Sequence, residues 1–392
     1  MAAAPALSLA VVAAEASGDL LAASVLEGLR TAGPLQAAGI GGPAMSACGF
    51  DAWWSIDELS VRGYVEVLRE YPRLLRLRRD LRQRVLAWQP DVFLGVDAPD
   101  FNLGLERALR RQGVPTAHFI GPSVWAWRRE RLAGIREAVG LMLLVFPFEK
   151  PIYDEAGIPA SYVGHPLADI IPARPDRAAA RRALGLPEQG AVVALLPGSR
   201  RAEIHYMAES FLEAAEWLAR RRPEVRFVLP AAGAQHYERL RALLARRAGK
   251  AAVLLTQGRS HEALAACDTA LIASGTATLE AALFARPMVI AYRMAPLSYL
   301  IMRRMGYLPW VGLPNILCRD WVVPEFLQPA ATAEAMGEAL LVQLDDPALR
   351  ERIAGRFADL HGSLRQGCAS RCAEELARYA EGARGGRLGR AR

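Results

Sequence analysis

The stretch ALIASGTATLEAALFARPMVI, residues 270–290, decides the fold. Its apolar run ends at Ala273, and a small polar loop, Ser274-Gly275-Thr276-Ala277-Thr278, follows. A helical pattern then opens with Leu279 and Glu280, Arg286-Pro287 break it, and a second apolar run begins at Met288. The order is strand, loop, helix, strand. Small side chains at a strand-to-helix turn leave backbone N–H groups bare at the positive end of a helix dipole, which suits a phosphate. Glu280, early in the helix, can reach a ribose diol. The loop points to a nucleotide enzyme and to where its nucleotide sits.

The same alternation extends outward in both directions. Upstream, strand patterns at Leu7–Ala13, 36–41, 91–96, 116–120 and 141–146 alternate with helical ones, including a long Leu/Arg helix over 73–89. Short buried strands alternating with helices predict a parallel sheet covered on both faces. Residues 170–176 carry two prolines around a polar turn and read as a linker. Beyond it the pattern restarts, with strands over 191–196, 226–230 and 251–255 and helices over 208–221 and 262–267. The expected fold class is therefore α/β, with two Rossmann-like doubly wound domains facing across a cleft. The first spans residues 1–168 and the second 169–346. An amphipathic helical segment over 347–380 either packs back on the first domain or is exchanged in a dimer, and a Gly/Arg-rich tail over 381–392 reads as disordered.

The chain of 392 residues is long enough for such domains, and its 52% hydrophobic but only 7% aromatic content favours Ala/Leu/Val packing over a β-sandwich. No apolar run reaches the roughly 18–20 residues that span a bilayer. The start, MAAAPALSLAVVAAEASGDLL, lacks a basic n-region and runs into a Gly-Asp turn, so it reads as the first strand of a cytoplasmic protein rather than a signal peptide. Five scattered cysteines without CxxC, and six histidines without HxH or HExxH, predict neither disulfides nor a metal. The formal charge of +7 is nearly all arginine, since lysine occurs only at Lys150 and Lys250. A basic surface favours anionic partners: nucleic acid, anionic lipid or phosphorylated substrates.

Several loops after strands carry candidate chemistry. Gly198-Ser199-Arg200, with Glu203 three residues on, offers either a phosphate fork or a simple helix cap. Together with Ser274–Thr278 it can converge on one diphosphate. Glu15 follows the first strand, and Ser17 and Asp19 either cap the next helix or face the cleft. Asp97 closes a strand that is otherwise apolar on both faces, where a general base belongs, although an Asx-type turn fits Asp97-Ala98-Pro99-Asp100 as well. Ser123, Trp125, Trp127, Arg128 and Arg129 form a segment that binds a sugar face, an acyl chain or a phosphate, or else anchors packing. His165 at the domain boundary is a structural histidine or a substrate contact. Asn315, polar amid apolar residues, is a backbone clamp or a ligand amide. The basic amphipathic stretches 73–79 and 299–312 can lie on anionic membrane or present an arginine face to water.

With these segments in view the chain resembles the lipid-A-disaccharide synthases, bacterial glycosyltransferases. The matching segments are EASGD, GIGGPAM, DVFLGVDAPDFN, GPSVWAWR, FPFEKPIYDEAGIPASYVGHP, LLPGSRRAE, ASGTATLEA and LPNIL, in the family's order from residue 15 to residue 317. Ala14 stands where a glycine is common in that family. The resemblance implies the GT-B arrangement of two Rossmann-like domains. It implies UDP-2,3-diacylglucosamine as donor, 2,3-diacylglucosamine 1-phosphate (lipid X) as acceptor, and a β-1,6 tetraacyl disaccharide 1-phosphate and UDP as products of lipopolysaccharide synthesis in Gram-negative bacteria. It also implies Asp97 as base with Glu15 beside it, and Arg200 on the diphosphate. Gly198, Ser199, Glu203, Ser274, Gly275, Thr276, Ala277, Thr278, Glu280 and Asn315 are then expected around the donor, and Ser17, Asp19, Ser123, Trp125 and His165 on the acceptor side. No cofactor is expected, and without a DxD motif no metal. The partners it implies are the two lipid substrates, an anionic inner-membrane surface bound peripherally from the cytoplasm and, in one arrangement of the last helix, a second copy of the chain.

Three rival classes remain. A UDP-N-acetylglucosamine 2-epimerase shares the two-domain arrangement but has no use for an acyl-binding surface. An NAD-dependent dehydrogenase requires GxGxxG where the chain reads AAEASGD. A nucleic-acid module would use the arginines, but no RNA or DNA motif is present, so no nucleic-acid partner is expected.

Overall fold

In the computed structural model, which describes residues 6–59, 64–247, 251–295, 299 and 307–390, the chain divides into two compact units. The first comprises Met1–Asp169 with Leu364–Arg392, and the second Ile170–Ser363.

The sheet of the first unit has seven strands: β1 (Leu7–Ala13), β2 (Leu35–Gly41), β3 (Asp51–Ser55), β4 (Val92–Val96), β5 (Thr116–Phe119), β6 (Leu141–Leu144) and β7 (Ala160–Tyr162). Their order is β3-β2-β1-β4-β5-β6-β7, with every pair parallel. The central strand β4 is buried along its whole length, which is why it reads as an unbroken apolar run. Leu81 and Val85 of helix Tyr64–Trp88 pack with Leu105 and Leu109 of helix Pro99–Arg110 over Val12, Ile40 and Phe93. Helix Cys368–Arg390 lies close along helix Ala16–Ala32, where a Cβ on Gly28 would come within 3.0 Å of the Ala369 carbonyl.

The second unit repeats the plan with β8 (Val192–Leu196), β9 (Arg226–Ala231), β10 (Ala252–Gln257), β11 (Thr269–Ala273), β12 (Met288–Tyr292) and β13 (Glu325–Leu327). The order is β10-β9-β8-β11-β12-β13, again all parallel. Helix Arg201–Arg221 buries Met207, Phe211, Ala214 and Leu218, spaced three and four apart, against Val193, Leu195, Phe227 and Leu229. In each sheet the strand order reverses at one place, between β1 and β4 and between β8 and β11. Ligands of doubly wound sheets bind outside the carboxyl ends of the strands at such a reversal. Glu15 and Asp97 follow the first pair of strands, Gly198–Arg200 and Ser274–Thr278 the second.

The structure departs from the sequence reading in three places. It adds the short strands β3, β7 and β13, none with a fully buried residue, so none reads as an apolar run. The single last helix is two, Pro347–Leu364 and Cys368–Arg390, with Gly367 at φ +69 in the break. Residues 381–390 of the tail expected to be disordered continue the second of these helices, anchored where Arg384 Nε meets Asp91 Oδ1 at 2.6 Å, and the last two residues lie outside the described ones. Burial pushes the Asp91 carboxyl up, but Arg384 and the N–H and hydroxyl of Ser8 outweigh it and hold it at about 2. An ion pair with both ends already hydrogen-bonded fixes a Gly/Arg segment that composition alone leaves unstructured.

Candidate active site

In the second unit the loops after β8, β9, β10 and β11 line a cavity of about 380 Å³. Gly198, Ser199, Arg200, Glu203, Ser274, Gly275, Thr276, Ala277 and Glu280, all expected at the donor, border it. Thr276 and Ala277 open helix Thr276–Leu283, where first-turn N–H groups lack intrahelical acceptors. The Arg200 side chain is 82% exposed; one guanidinium nitrogen meets Glu203 Oε1 at 3.5 Å, and the rest of the fork faces outward, where it can meet an anion. Ser274 Oγ donates to the Val311 carbonyl at 3.2 Å, which fixes the loop.

Three of the expected donor contacts have other work. Glu203 Oε2 accepts the N–H of Ser199 at 2.9 Å and of Arg200 at 3.1 Å, so it caps helix Arg201–Arg221. Those two N–H groups are spent on this carboxylate, so the exposed donor of this loop is the guanidinium. Gly198, at φ +117, is required there, because a Cβ would lie 2.5 Å from Glu203 Oε2. Thr278 is buried and turns its hydroxyl to the Gly275 carbonyl at 2.7 Å. Asn315 is fully buried and does not border the cavity. Its Nδ2 donates to the Val323 carbonyl and to Glu325 Oε1, and its Oδ1 accepts from Val322 and Val323. It is a clamp that fixes Glu325, which in turn accepts the N–H of Val311 and Gly312.

Sequence reasoning missed Pro230, Ala231, Ala232, Gly258 and Ser260, which complete the cavity from β9 and β10. Small residues directly after strands were the available signal. It also missed His261, whose Nε2 stands 3.4 Å from Glu280 Oε2. The contact with Glu280 raises the His261 pKa despite partial burial. A histidine on one carboxylate oxygen leaves the other for a diol.

In the first unit Glu15, at the end of β1, and Ser17 are exposed. Asp19 is not: it is 3% exposed and accepts the N–H groups of Gly42, Ala44 and Met45. It caps helix Pro43–Ala47 rather than facing a ligand, and a Cβ on Gly42 would collide with it at 2.5 Å. EASGD and GIGGPAM are therefore two halves of one structural joint. Asp97 is exposed on a turn that continues with Ala98, the two at φ +52 and +42. Consecutive non-glycine residues in this region are strained by about 1–3 kcal/mol each, a cost that concentrates where a side chain must be presented. The Asp97 N–H donates to the Phe119 carbonyl at 2.9 Å, and Asn102 Nδ2 to the Asp97 carbonyl at 2.9 Å.

Beyond β5 and β6 the aromatic segments close on one another. Trp125 is 8% exposed, with its ring edge-on to Phe146 and Phe148 at 6.3 and 5.3 Å. It hydrogen-bonds Glu149, whose carboxyl burial pushes up to about 8 against that bond and the Phe146 N–H. Trp125 is thus a packing anchor, whereas Trp127 is 40% exposed with Arg128 Cζ 4.4 Å over its ring. Ser123 is exposed and its carbonyl accepts the N–H of Ala126. His165 stacks on Phe146 and accepts the Leu167 N–H at Nδ1, and burial pushes its pKa down to about 4. Its ring is used internally.

Among the described residues no group of three His, Cys, Asp or Glu side chains is arranged to hold a metal ion, and no helix is long and apolar enough to cross a membrane. Leu75, Arg78, Arg79 and Arg82 line a shallow cavity on helix Tyr64–Trp88, with Leu75 exposed. Arg303 and Arg304, the other arginines expected on a docking face, lie outside the described residues.

A family model for lipid-A-disaccharide synthetase matches residues 9–374. A lipid-A-disaccharide synthase of Burkholderia thailandensis is 52% identical over 374 residues, covering 95% of this chain and 96% of that protein. One of Albidiferax ferrireducens is 53% identical over 372 residues, covering 92% and 94%. Among solved structures, a UDP-N-acetylglucosamine 2-epimerase of Listeria monocytogenes, described as putative, superposes with a TM-score of 0.65 at 12% identity, covering 95% of each chain. MurG of Acinetobacter baumannii does so at 0.60 and 14%, covering 95% of this chain and all of that one. At such identities these two speak to the fold alone.

Proposed function

The chain belongs to the lipid-A-disaccharide synthase family, and we propose from that membership and the donor cavity that it joins UDP-2,3-diacylglucosamine to 2,3-diacylglucosamine 1-phosphate. The acceptor 6-hydroxyl oxygen attacks the anomeric carbon, the bond from that carbon to the diphosphate oxygen breaks, and UDP leaves with the electron pair. The α-linked donor becomes a β-1,6-linked disaccharide, so one in-line displacement inverts the centre. Asp97 takes the hydroxyl proton, its exposed carboxylate presented on a strained turn, with Glu15 at the neighbouring strand end. Arg200 and the first turn of helix Thr276–Leu283 stabilise the charge on the departing diphosphate. Glu280, oriented by His261, takes the ribose.

The observation that carries this reading is the pairing of a family match over residues 9–374 with a cavity bordered by both phosphate-friendly loops. The epimerase reading has only distant fold likeness behind it. Both substrates carry acyl chains, so the exposed Leu/Arg face at 75–82 is read as a peripheral docking surface on the inner membrane, facing the cytoplasm. The pairing of helix Cys368–Arg390 with helix Ala16–Ala32 is the contact a swapped homodimer would exchange. The purified protein, given both lipid substrates, should release UDP and the tetraacyl disaccharide 1-phosphate in equal amounts. Turnover of a UDP-sugar without any acceptor, yielding its 2-epimer, would contradict the proposal.

A further inference from the structure

Beneath the Asp97 turn lies a group of polar side chains that the reaction does not touch. Asn102, Glu106 and His118 are each 0% exposed. Asn102 and Glu106 sit four residues apart on helix Pro99–Arg110, and so on one face of it. Glu106 Oε1 meets His118 Nδ1 at 2.7 Å. His118 lies on β5, next to Phe119, whose carbonyl accepts the Asp97 N–H. Asn102 holds the Asp97 carbonyl from the helix side. Both ends of the Asp97 residue are therefore gripped, one from the helix and one from the strand, and the Glu106–His118 bond ties that helix to that strand.

Gly95 on β4 makes the room. A Cβ there would come within 2.1 Å of Glu106 Oε1 and 3.0 Å of Asn102 Cβ. The turn also has reason to need a grip. Besides Asp97 and Ala98, Ile120 just after β5 has φ +69, a genuine outlier for a β-branched residue. Three strained residues at the ends of adjacent strands relax unless their surroundings over-determine them. Packing alone does not call for a buried acid and base, since apolar side chains of similar volume often serve stability as well or better. A directional bond fixes spacing in a way that apolar contact does not. Burial pushes the Glu106 carboxyl up; burial pulls His118 down, but the charge and hydrogen bond of Glu106, the Asp97 charge and the Ile120 backbone together outweigh it and push His118 up.

We propose that Glu106 and His118 are positioning residues for Asp97, a buried hydrogen-bonded pair that holds the helix and strand on which its carboxylate is aimed. The inference rests on Asp97 acting as the base. In the full chain, with both lipid substrates, Glu106→Leu should lower kcat about 10–100-fold, the scale of a small misplacement of a reacting group. Its donor KM and UDP Kd should stay within about 3-fold of the parent. Glu106→Gln keeps a hydrogen bond to His118 and should retain kcat within about 5-fold. His118→Phe keeps an aromatic ring at the position but loses the bond, and should match Glu106→Leu; it serves if the leucine variant does not fold. Parent-like kcat in Glu106→Leu or His118→Phe overturns the inference. So does a loss of rate matched by loss of UDP affinity. Asp97→Ala in the same assay separates the two claims. If it turns over like the parent, the base assignment fails, and if it is inactive while the buried-pair variants run normally, only the positioning role fails.

Discussion

Replacing Glu149 by glutamine should remove a pH dependence of stability that the parent carries. The Glu149 side chain is buried, and its carboxyl is pushed from the ordinary 4.5 up to about 8. The folded state therefore holds this proton more tightly than the unfolded chain does. Stability from this group is greatest below the unfolded value, falls as pH rises from about 4.5 to about 8, and is level above that. The difference corresponds to on the order of 5 kcal/mol across the window. A glutamine has no proton to lose, and its carbonyl can still accept the Phe146 N–H that Glu149 Oε2 accepts at 3.1 Å. Urea unfolding of parent and Glu149→Gln at pH 5 and pH 9 measures it, following amide hydrogen exchange of first-unit peptides because two units need not unfold together. The variants should be close at pH 5, with the glutamine form the more stable at pH 9. His165 contributes the opposite trend, since its depressed value of about 4 means stability lost as pH falls through roughly 6.5 to 4, and the comparison at each pH cancels it. A stability difference that is the same at pH 5 and pH 9 would mean that the folded protein does not hold the Glu149 proton more tightly than the unfolded chain.

Arg200→Ala should weaken UDP binding and raise donor KM by about 10-fold or more, with thermal stability nearly unchanged because the side chain is 82% exposed; calorimetric titration with UDP reads it. Asn315→Ala should instead cost about 2–4 kcal/mol in chemical denaturation, by stranding both the N–H and the carbonyl of Val323. Cutting Arg76, Arg78 and Arg79 to serine should lower binding to anionic phospholipid vesicles and flatten its salt dependence, with roughly 1 kcal/mol lost per arginine that lies near the surface; unchanged vesicle binding removes this helix from membrane docking.

The central strands were legible because burial on both faces writes an unbroken apolar run, as in β4, β8 and β11. The edge strands β3, β7 and β13 were not, because three to five half-exposed residues leave no period to read. At the site, the loops could be located but the direction of each side chain could not. Glu15 and Asp19 stand four apart in one motif, yet one is exposed and the other is turned inward by the Gly42–Met45 backbone, a partner distant in sequence. Glu203 and Asn315 have the chemistry of ligand contacts and are consumed by nearby backbone. His261 and His118, each a lone histidine in sequence, acquire meaning only when the fold brings a carboxylate to them.

Asp97 is the residue proposed to deprotonate the acceptor. The direct measurement is kcat of Asp97→Ala with both lipid substrates, beside the UDP Kd of the same preparation. With Asp97 as the base, turnover falls by about 10²–10⁴-fold and UDP binding is unchanged. Turnover within a few-fold of the parent would contradict that role.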